Sequence, residues 1–303
     1  MDDGPALGRA VEQAPFLVTF AVRWLTYGTL IAAVNAFSPG AWILGQVSLA
    51  APLALPVMLL SAAFSFVVTF AFLFVFQVSL IVGPRNLANV VLGRYHQPQP
   101  EERFFLFVDI AGSTTLAERI GPVTVHRFLA HVFRLSSDPI ADHGGEIYQY
   151  VGDEMVVTWT GAAGRADAQP IACFFSIVAA LDAAVQEFRG EFGVALRVRG
   201  ALHAGSVVTG EIGDSKRDIV FHGDVMNTAA RLEQATRDLD RNFLVSADAA
   251  SRLTGLERYA LEPLGSHVLR GRAASVDLYA VSSPHGSPDS TSSRRPDVRS
   301  LPA

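Results

Sequence analysis

The sequence predicts an α+β domain with the ferredoxin-like βαββαβ order, preceded by an N-terminal α-helical transmembrane region. Three observations predict it. No Asp, Glu, Lys, Arg or His occurs between Trp24 and Pro84, whereas about 20 apolar residues suffice to cross a bilayer. From residue 101 to 282 the composition changes to the mixed pattern of a water-soluble domain. Within that domain strand-like and helix-like periods follow one another as β-α-β-β-α-β with additions, which suits an antiparallel sheet carrying helices on one face.

The elements follow in chain order. "APFLVTFAVRWLTYGTLIAAVNAF" (14–37) is a first span, with Arg23 placed to snorkel to one interface or to face other helices. "SPG" at 38–40 is turn chemistry. The stretch from Ala41 to Gly83 has room for two more spans, broken near Leu60 to Ala62, although Pro52 and Pro56 also suit an irregular or partly inserted helix. Region 1–84 is therefore expected to hold three transmembrane helices, within a range of two to four. Arg85 and Arg94 follow the last apolar residue, which favours the cytoplasmic side. The expectation is a multi-pass protein of the cell (inner) membrane, in contact with the lipid bilayer, with its soluble domain in the cytoplasm.

Residues 85–100 form a linker in which Leu87, Val90 and Val91 have the spacing of a short amphipathic helix. "RFFLFVDI" (103–110) is a buried strand. The segment from Ser113 to Gly144 is helical, interrupted at Gly121-Pro122. "GEIYQYVGDEMVVTW" is a hairpin turning at Val151 to Asp153. "AQPIACFFSIVAALDAAVQEFRGEFG" is a helix with an apolar face, "VALRVRGALHAGSVVTGEIG" reads as strand, turn and strand, and "DVMNTAARLEQATR" is a helix. The domain closes at 282, and the Ser-, Pro- and Arg-rich tail 283–303 has too little to bury and should be disordered.

Some functions are excluded early. A formal net charge of -5 leaves no basic footprint, so nucleic acid is not an expected partner. Cys173 is the only cysteine, which rules out an intrachain disulfide and gives no sign of an oxidising compartment. The first apolar run follows Asp2, Asp3 and Glu12 with Arg9 alone, and does not read as a secretory signal.

The hairpin poses the chemical question. Its strands are apolar, yet they carry Asp153 and Glu154, and an uncompensated buried carboxylate is costly. Asp109 ends the preceding strand, and in a split βαβ arrangement that strand neighbours the hairpin, so Asp109 and Asp153 can converge. A divalent ion between them turns repulsion into attraction, and Mg²⁺ takes one or two carboxylates plus substrate phosphates. After Asp109 comes "IAGSTT", where Ala111, Gly112, Ser113 and Thr114 bring small residues and backbone N–H groups to a helix N-terminus, a setting for phosphate. The same residues also fit an ordinary strand-to-helix connection with Ser113 or Thr114 as N-cap.

Four motifs, "FLFVDIAGSTTLAERIG", "GEIYQYVGDEMVVTW", "LRVRGALHAGSVVTGEIG" and "RDIVFHGDVMNTAARLE", stand in the order and spacing of the class III nucleotide cyclases, and residues 101 to 281 resemble the adenylyl and guanylyl cyclase catalytic domain. The resemblance implies a head-to-tail homodimer with two shared active sites. It implies two Mg²⁺ (or Mn²⁺) ions per site at Asp109, Ile110 and Asp153, and transition-state contacts from the partner chain by Asn227 and Arg231. It places Arg199 and Arg270 on the triphosphate. The base-reading Lys of the family is Gln149 here, and the Asp or Thr of adenylyl members is Val220. A carboxamide can pair with adenine in bidentate fashion, so ATP is the expected substrate, with Asp218, His222 or Asp224 as further candidates and Asp224 also a candidate cap for a helix at 225–234. The implied activity is that of an adenylate cyclase, a phosphorus-oxygen lyase making cyclic AMP and diphosphate. A guanylate cyclase or a non-catalytic nucleotide-binding module paired with an active partner are the alternatives. A diguanylate cyclase reading of "VGDEM" is opposed by Val151 and Met155.

Overall fold

The computed structural model describes residues 16–36, 54–194, 196–214, 217–270 and 275–283. It divides into two compact units that meet between Arg94 and Tyr95. The expected tail and the stretch 37–53, where part of a third span would fall, lie outside the described residues.

In the first unit two long apolar helices, α1 (Phe16–Ala36) and α2 (Ala54–Val82), pack side by side. Trp24 Nε1 donates to the carbonyl of Phe66 at 2.9 Å, and Phe20 meets Phe70 edge to face at 5.2 Å. Leu17, Leu60, Phe64, Phe72 and Ile81 remain exposed, the pattern expected of helices that lipid covers. The break expected at Leu60 to Ala62 is absent, because α2 runs through it as one 29-residue helix. Pro56 sits in its first turn, where a missing N–H breaks no helical bond. A short helix α3 (Pro84–Val91) follows, opened by Pro84, and matches the expected linker helix.

The second unit is built on a sheet of eight strands. Its elements are β1 (Gln99–Ile110), α4 (Ser113–Ile120), α5 (Pro122–Asp142), β2 (Glu146–Val151), β3 (Glu154–Thr160), α6 (Gln169–Ala183), α7 (Val185–Phe192), β4 (Val198–Ile212), β5 (Asp218–His222), α8 (Asp224–Asp238), β6 (Phe243–Ser246), β7 (Ala260–Val268) and β8 (Ser275–Ser282), with short helical turns between some of them. The strand order is β2-β3-β1-β4-β6-β8-β7, with β5 paired to β4. β4 and β6 run parallel, and β1 pairs antiparallel with β4 from Gln99 opposite Thr209 to Ile110 opposite Val198.

Alternation along β1 sorts its side chains between two faces. Phe104, Leu106, Val108 and Ile110 enter the main core with Phe128 of α5, Ile171, Phe174 and Ile177 of α6, and Phe188 of α7. Phe105 and Phe107 face the other way and pack with Val225 and Ala229 of α8. Helices therefore cover both faces of the sheet rather than the one face expected. α8 can come close because Gly205 has no side chain: a Cβ there would lie 2.8 Å from Val225 Cγ2. This also explains why "HAGSVV" holds no turn. β4 is a single 15-residue strand, and its small residues make room for a helix instead of bending the chain.

A third stretch, Gly161–Ala183, is apolar and long enough to cross a membrane by composition. It buries Ile171, Cys173, Phe174, Ile177 and Leu181, so its apolar side chains serve the core. Full burial pushes the Cys173 thiol up to about 12.

Candidate active site

The second face of the sheet carries an acidic cluster at one end of β1. Asp109 pairs across to Glu154 of β3 and to Arg199 of β4, and side chains of directly opposed residues share a face. Asp153 sits in the two-residue turn of the hairpin, where Gly152 has a φ of 64° that only glycine adopts without strain. Ser113 Oγ, at the start of α4, donates to Asp153 Oδ2. The strand end, the hairpin turn and the helix start are thus tied together, as the motif order requires.

α8 contributes from above. Arg237 Nη2 donates to Asp109 Oδ2 at 2.7 Å and lies 3.5 Å from Glu233 Oε1. Glu233 is buried, and its Oε1 has no hydrogen-bond partner. Four carboxylates therefore crowd around one guanidinium, and the electrostatics record it. Burial, then the neighbouring Asp153, raise Asp109 against the opposing pull of Arg237. Burial and the charge of Glu233 push Glu154 up to about 8. Burial and the charge of Asp109 push Glu233 up to about 7.

Such a cluster is a poor structural device and a good cation site. All its donors are oxygen, the set that Mg²⁺ and Mn²⁺ prefer. The residues fit a metal on Asp109 and Asp153, beside which Glu233 Oε1 is buried, 3.5 Å from Arg237 Nη2 and without a hydrogen bond. The Ile110 side chain is buried in the core, which leaves only its carbonyl oxygen as a possible ligand. Elsewhere, three side chains of metal-ligating type, His131, Glu187 and Glu191, come close together on α5 and α7, where Arg127 already meets Glu191 at 2.6 Å.

Beside the carboxylates the chain turns through Gly112 at a φ of 80°, and no side chain caps α4, so its first-turn N–H groups suit an anion. The N–H of Ala111 is not among them, because it donates to the Arg197 carbonyl at 2.9 Å. Thr114 lies in the first turn of α4.

The other expected site residues are placed differently. Arg199 is half-buried on the cluster's face, near enough to pull Glu233 downward. Gln149 is exposed on β2 opposite Val156, on that same face. Val220 on β5 neighbours Phe221, which packs against Phe105 at 5.3 Å on the second face, so Val220 points to the opposite side. Asn227 is exposed and Arg231 half-buried on α8, about 120° around the helix from Glu233 and Arg237 at 3.6 residues per turn. Arg270 is exposed beyond β7. Asp224 begins α8 but does not cap it, since the cap position is Gly223.

The family model described as the adenylate and guanylate cyclase catalytic domain matches residues 96–283. The chain belongs to this family. Adenylate cyclase 2 of Rhizobium meliloti (strain 1021) is 39% identical over 209 residues, which cover 69% of this chain and 58% of that relative. The chain thus spans less than two thirds of the relative's length. A solved structure of a bacterial light-regulated adenylyl cyclase is 26% identical with a TM-score of 0.53, covering 61% of this chain and 91% of the other. A guanylyl cyclase structure at 23% identity and a TM-score of 0.55, covering 64% of this chain and 97% of the other, shares the fold. The cyclase fold alone therefore does not choose the base.

Glu233 and Arg237 are members of the acidic cluster that the sequence does not point to, and Glu154 was noted there only as Asp153's neighbour. Glu154 was legible, since its neighbour Asp153 was already placed opposite Asp109. The i,i+4 pair Glu233 and Arg237 could be found as a pair, but its target depends on where α8 lies over the sheet.

Proposed function

We propose that the chain is a membrane-anchored adenylate cyclase that converts ATP to 3',5'-cyclic AMP and diphosphate at sites shared between two copies of the chain. The observation that carries this is the division of α8 into two edges. Glu233 and Arg237 face the chain's own Asp109, while Asn227 and Arg231 lie about a third of a turn away and can serve a nucleotide held by a partner.

In this reading Asp109, Asp153 and the Ile110 carbonyl hold two Mg²⁺ or Mn²⁺ ions. Those ions, when bound, supply activation of the ribose 3'-hydroxyl and in-line alignment of the phosphates. The Gly112 turn and the uncapped start of α4 receive the phosphates through backbone N–H groups. Arg199, on the same face, adds positive charge toward the phosphates, and Arg270 is the candidate for the far end of the triphosphate. From the partner chain Arg231 meets charge developing at the α-phosphate, and Asn227 orients the ribose by hydrogen bonding. Gln149 reads adenine, with N6 donating to its carboxamide oxygen and its amide donating to a ring nitrogen. Val220 points to the other side of the sheet and takes no part in this contact. Helices α1 and α2 anchor the chain in the cell (inner) membrane as a multi-pass protein with the cyclase domain in the cytoplasm, which the positive residues after α2 support.

Purified full-length chain supplied with ATP or GTP and with Mg²⁺ or Mn²⁺ tests the proposal. Cyclic AMP from ATP in excess over cyclic GTP from GTP is the expected result. No cyclic nucleotide from dimeric protein with either ion would overturn it and favour a nucleotide-binding module without catalysis.

A further inference from the structure

Arg237 holds one oxygen of a carboxylate that the metal reading assigns as a ligand. Its guanidinium is 2.7 Å from Asp109 Oδ2, and Asp109 has only 5% of its side chain exposed against 53% for Arg237. The carboxylate is fixed in the sheet, while the arginine reaches it from solvent on a flexible stem. Glu233, one turn earlier on α8, is buried and meets the same guanidinium at 3.5 Å.

We propose that Arg237 is a displaceable counter-cation of the candidate metal site and thereby sets its metal affinity. It neutralises Asp109 and Glu233 until a divalent ion takes over the same carboxylates. The inference rests on the reading of Asp109 and Asp153 as metal ligands. The guanidinium and a divalent ion on the same carboxylate repel each other, so metal binding at Asp109 competes with Arg237. Displacing it is easy, because more than half of the side chain already lies in water and nothing apolar has to open. Arg237 thus keeps the carboxylates from driving the strand end, the hairpin turn and α8 apart, and the ion has to compete with it.

The test measures Mn²⁺ binding to the full-length chain in detergent without nucleotide, from the electron paramagnetic resonance signal of free Mn²⁺. Arg237→Gln should bind Mn²⁺ about tenfold more tightly, the worth of one charge-assisted hydrogen bond, and should melt at a lower temperature than the parent in EDTA. Arg237→Lys keeps the charge and should stay close to the parent in both measurements. Unchanged or weaker Mn²⁺ binding by Arg237→Gln, or equal tightening in Arg237→Lys, would overturn the role of Arg237. Asp109→Asn separates the two layers of the argument: it should lose Mn²⁺ binding, and if it binds as the parent does, the metal reading itself falls.

Discussion

The two ends of β1 bury opposite charges in opposite ways. At one end Arg103 is 2% exposed and richly compensated. It meets Glu101 at 2.8 Å and Glu146 at 3.6 Å, donates to the Tyr95 hydroxyl at 3.1 Å, and lies 4.8 Å from the centre of the Phe221 ring. At the other end, on the same face, Asp109 is 3% exposed among three more carboxylates, with Arg237 as the cation in contact. One strand thus carries a buried cation among anions and a buried anion among like charges. A fold has reason to keep the first for its own cohesion. The second crowds like charges, which costs the folded chain free energy, and such an arrangement marks a candidate functional site.

Breaking the Asp109 end should have the largest effect on activity and little on folding. Asp109→Ala or Asp153→Ala is expected to lower turnover by about a thousandfold or more, since a two-metal site loses an anchor, with the melting temperature held or raised as repulsion is relieved. Cyclic nucleotide formation and thermal melting measured on the same samples decide it, and a large fall in melting temperature would place both residues among the structural charges.

Breaking the Arg103 end should do the reverse. Arg103→Ala leaves Glu101 and Glu146 without their buried partner and should cost about 3–5 kcal/mol of stability. Denaturant unfolding checks this, and a loss below about 1 kcal/mol would remove the contrast between the two ends.

A gentler test asks whether one site draws on two chains. Mixing equal amounts of Asp109→Ala and Arg231→Ala chains, each inactive alone, should restore about a quarter of the parental sites through random pairing of two-fold dimers. Mixed dimers that regain no activity would place Asn227 and Arg231 outside the partner's site.

Gln149→Ala, the mildest change, should reduce selectivity for ATP over GTP by about tenfold, because it leaves adenine's polar edge unpaired. Parental discrimination between ATP and GTP in competition assays would move base reading to Asp218 or His222.

How much of this could be read in advance follows from what each signal depends on. Asp109 and Asp153 were legible because a strand and the hairpin beside it bring their ends together under simple topology. The two long apolar helices were legible from the missing charges alone. The break expected inside α2 was not there, since Leu60 to Ala62 contain no residue that interrupts a helix. The turn expected in β4 failed for a related reason. Ala204 and Gly205 look like turn residues, but Gly205 is small to admit Val225 of α8, a contact between elements 20 residues apart in the chain. The same helix placement decides where Glu233 and Arg237 point, and no local pattern carries that.

The lone cysteine has a practical consequence. Cys173 is fully enclosed by the core, and with its thiol pushed up to about 12 it offers almost no thiolate at neutral pH. The one thiol of the native chain is therefore shielded from maleimides. A cysteine introduced at an exposed position such as Val268 would be the single reactive handle on the surface, ready for a spin label or a fluorophore without any other residue having to be removed first.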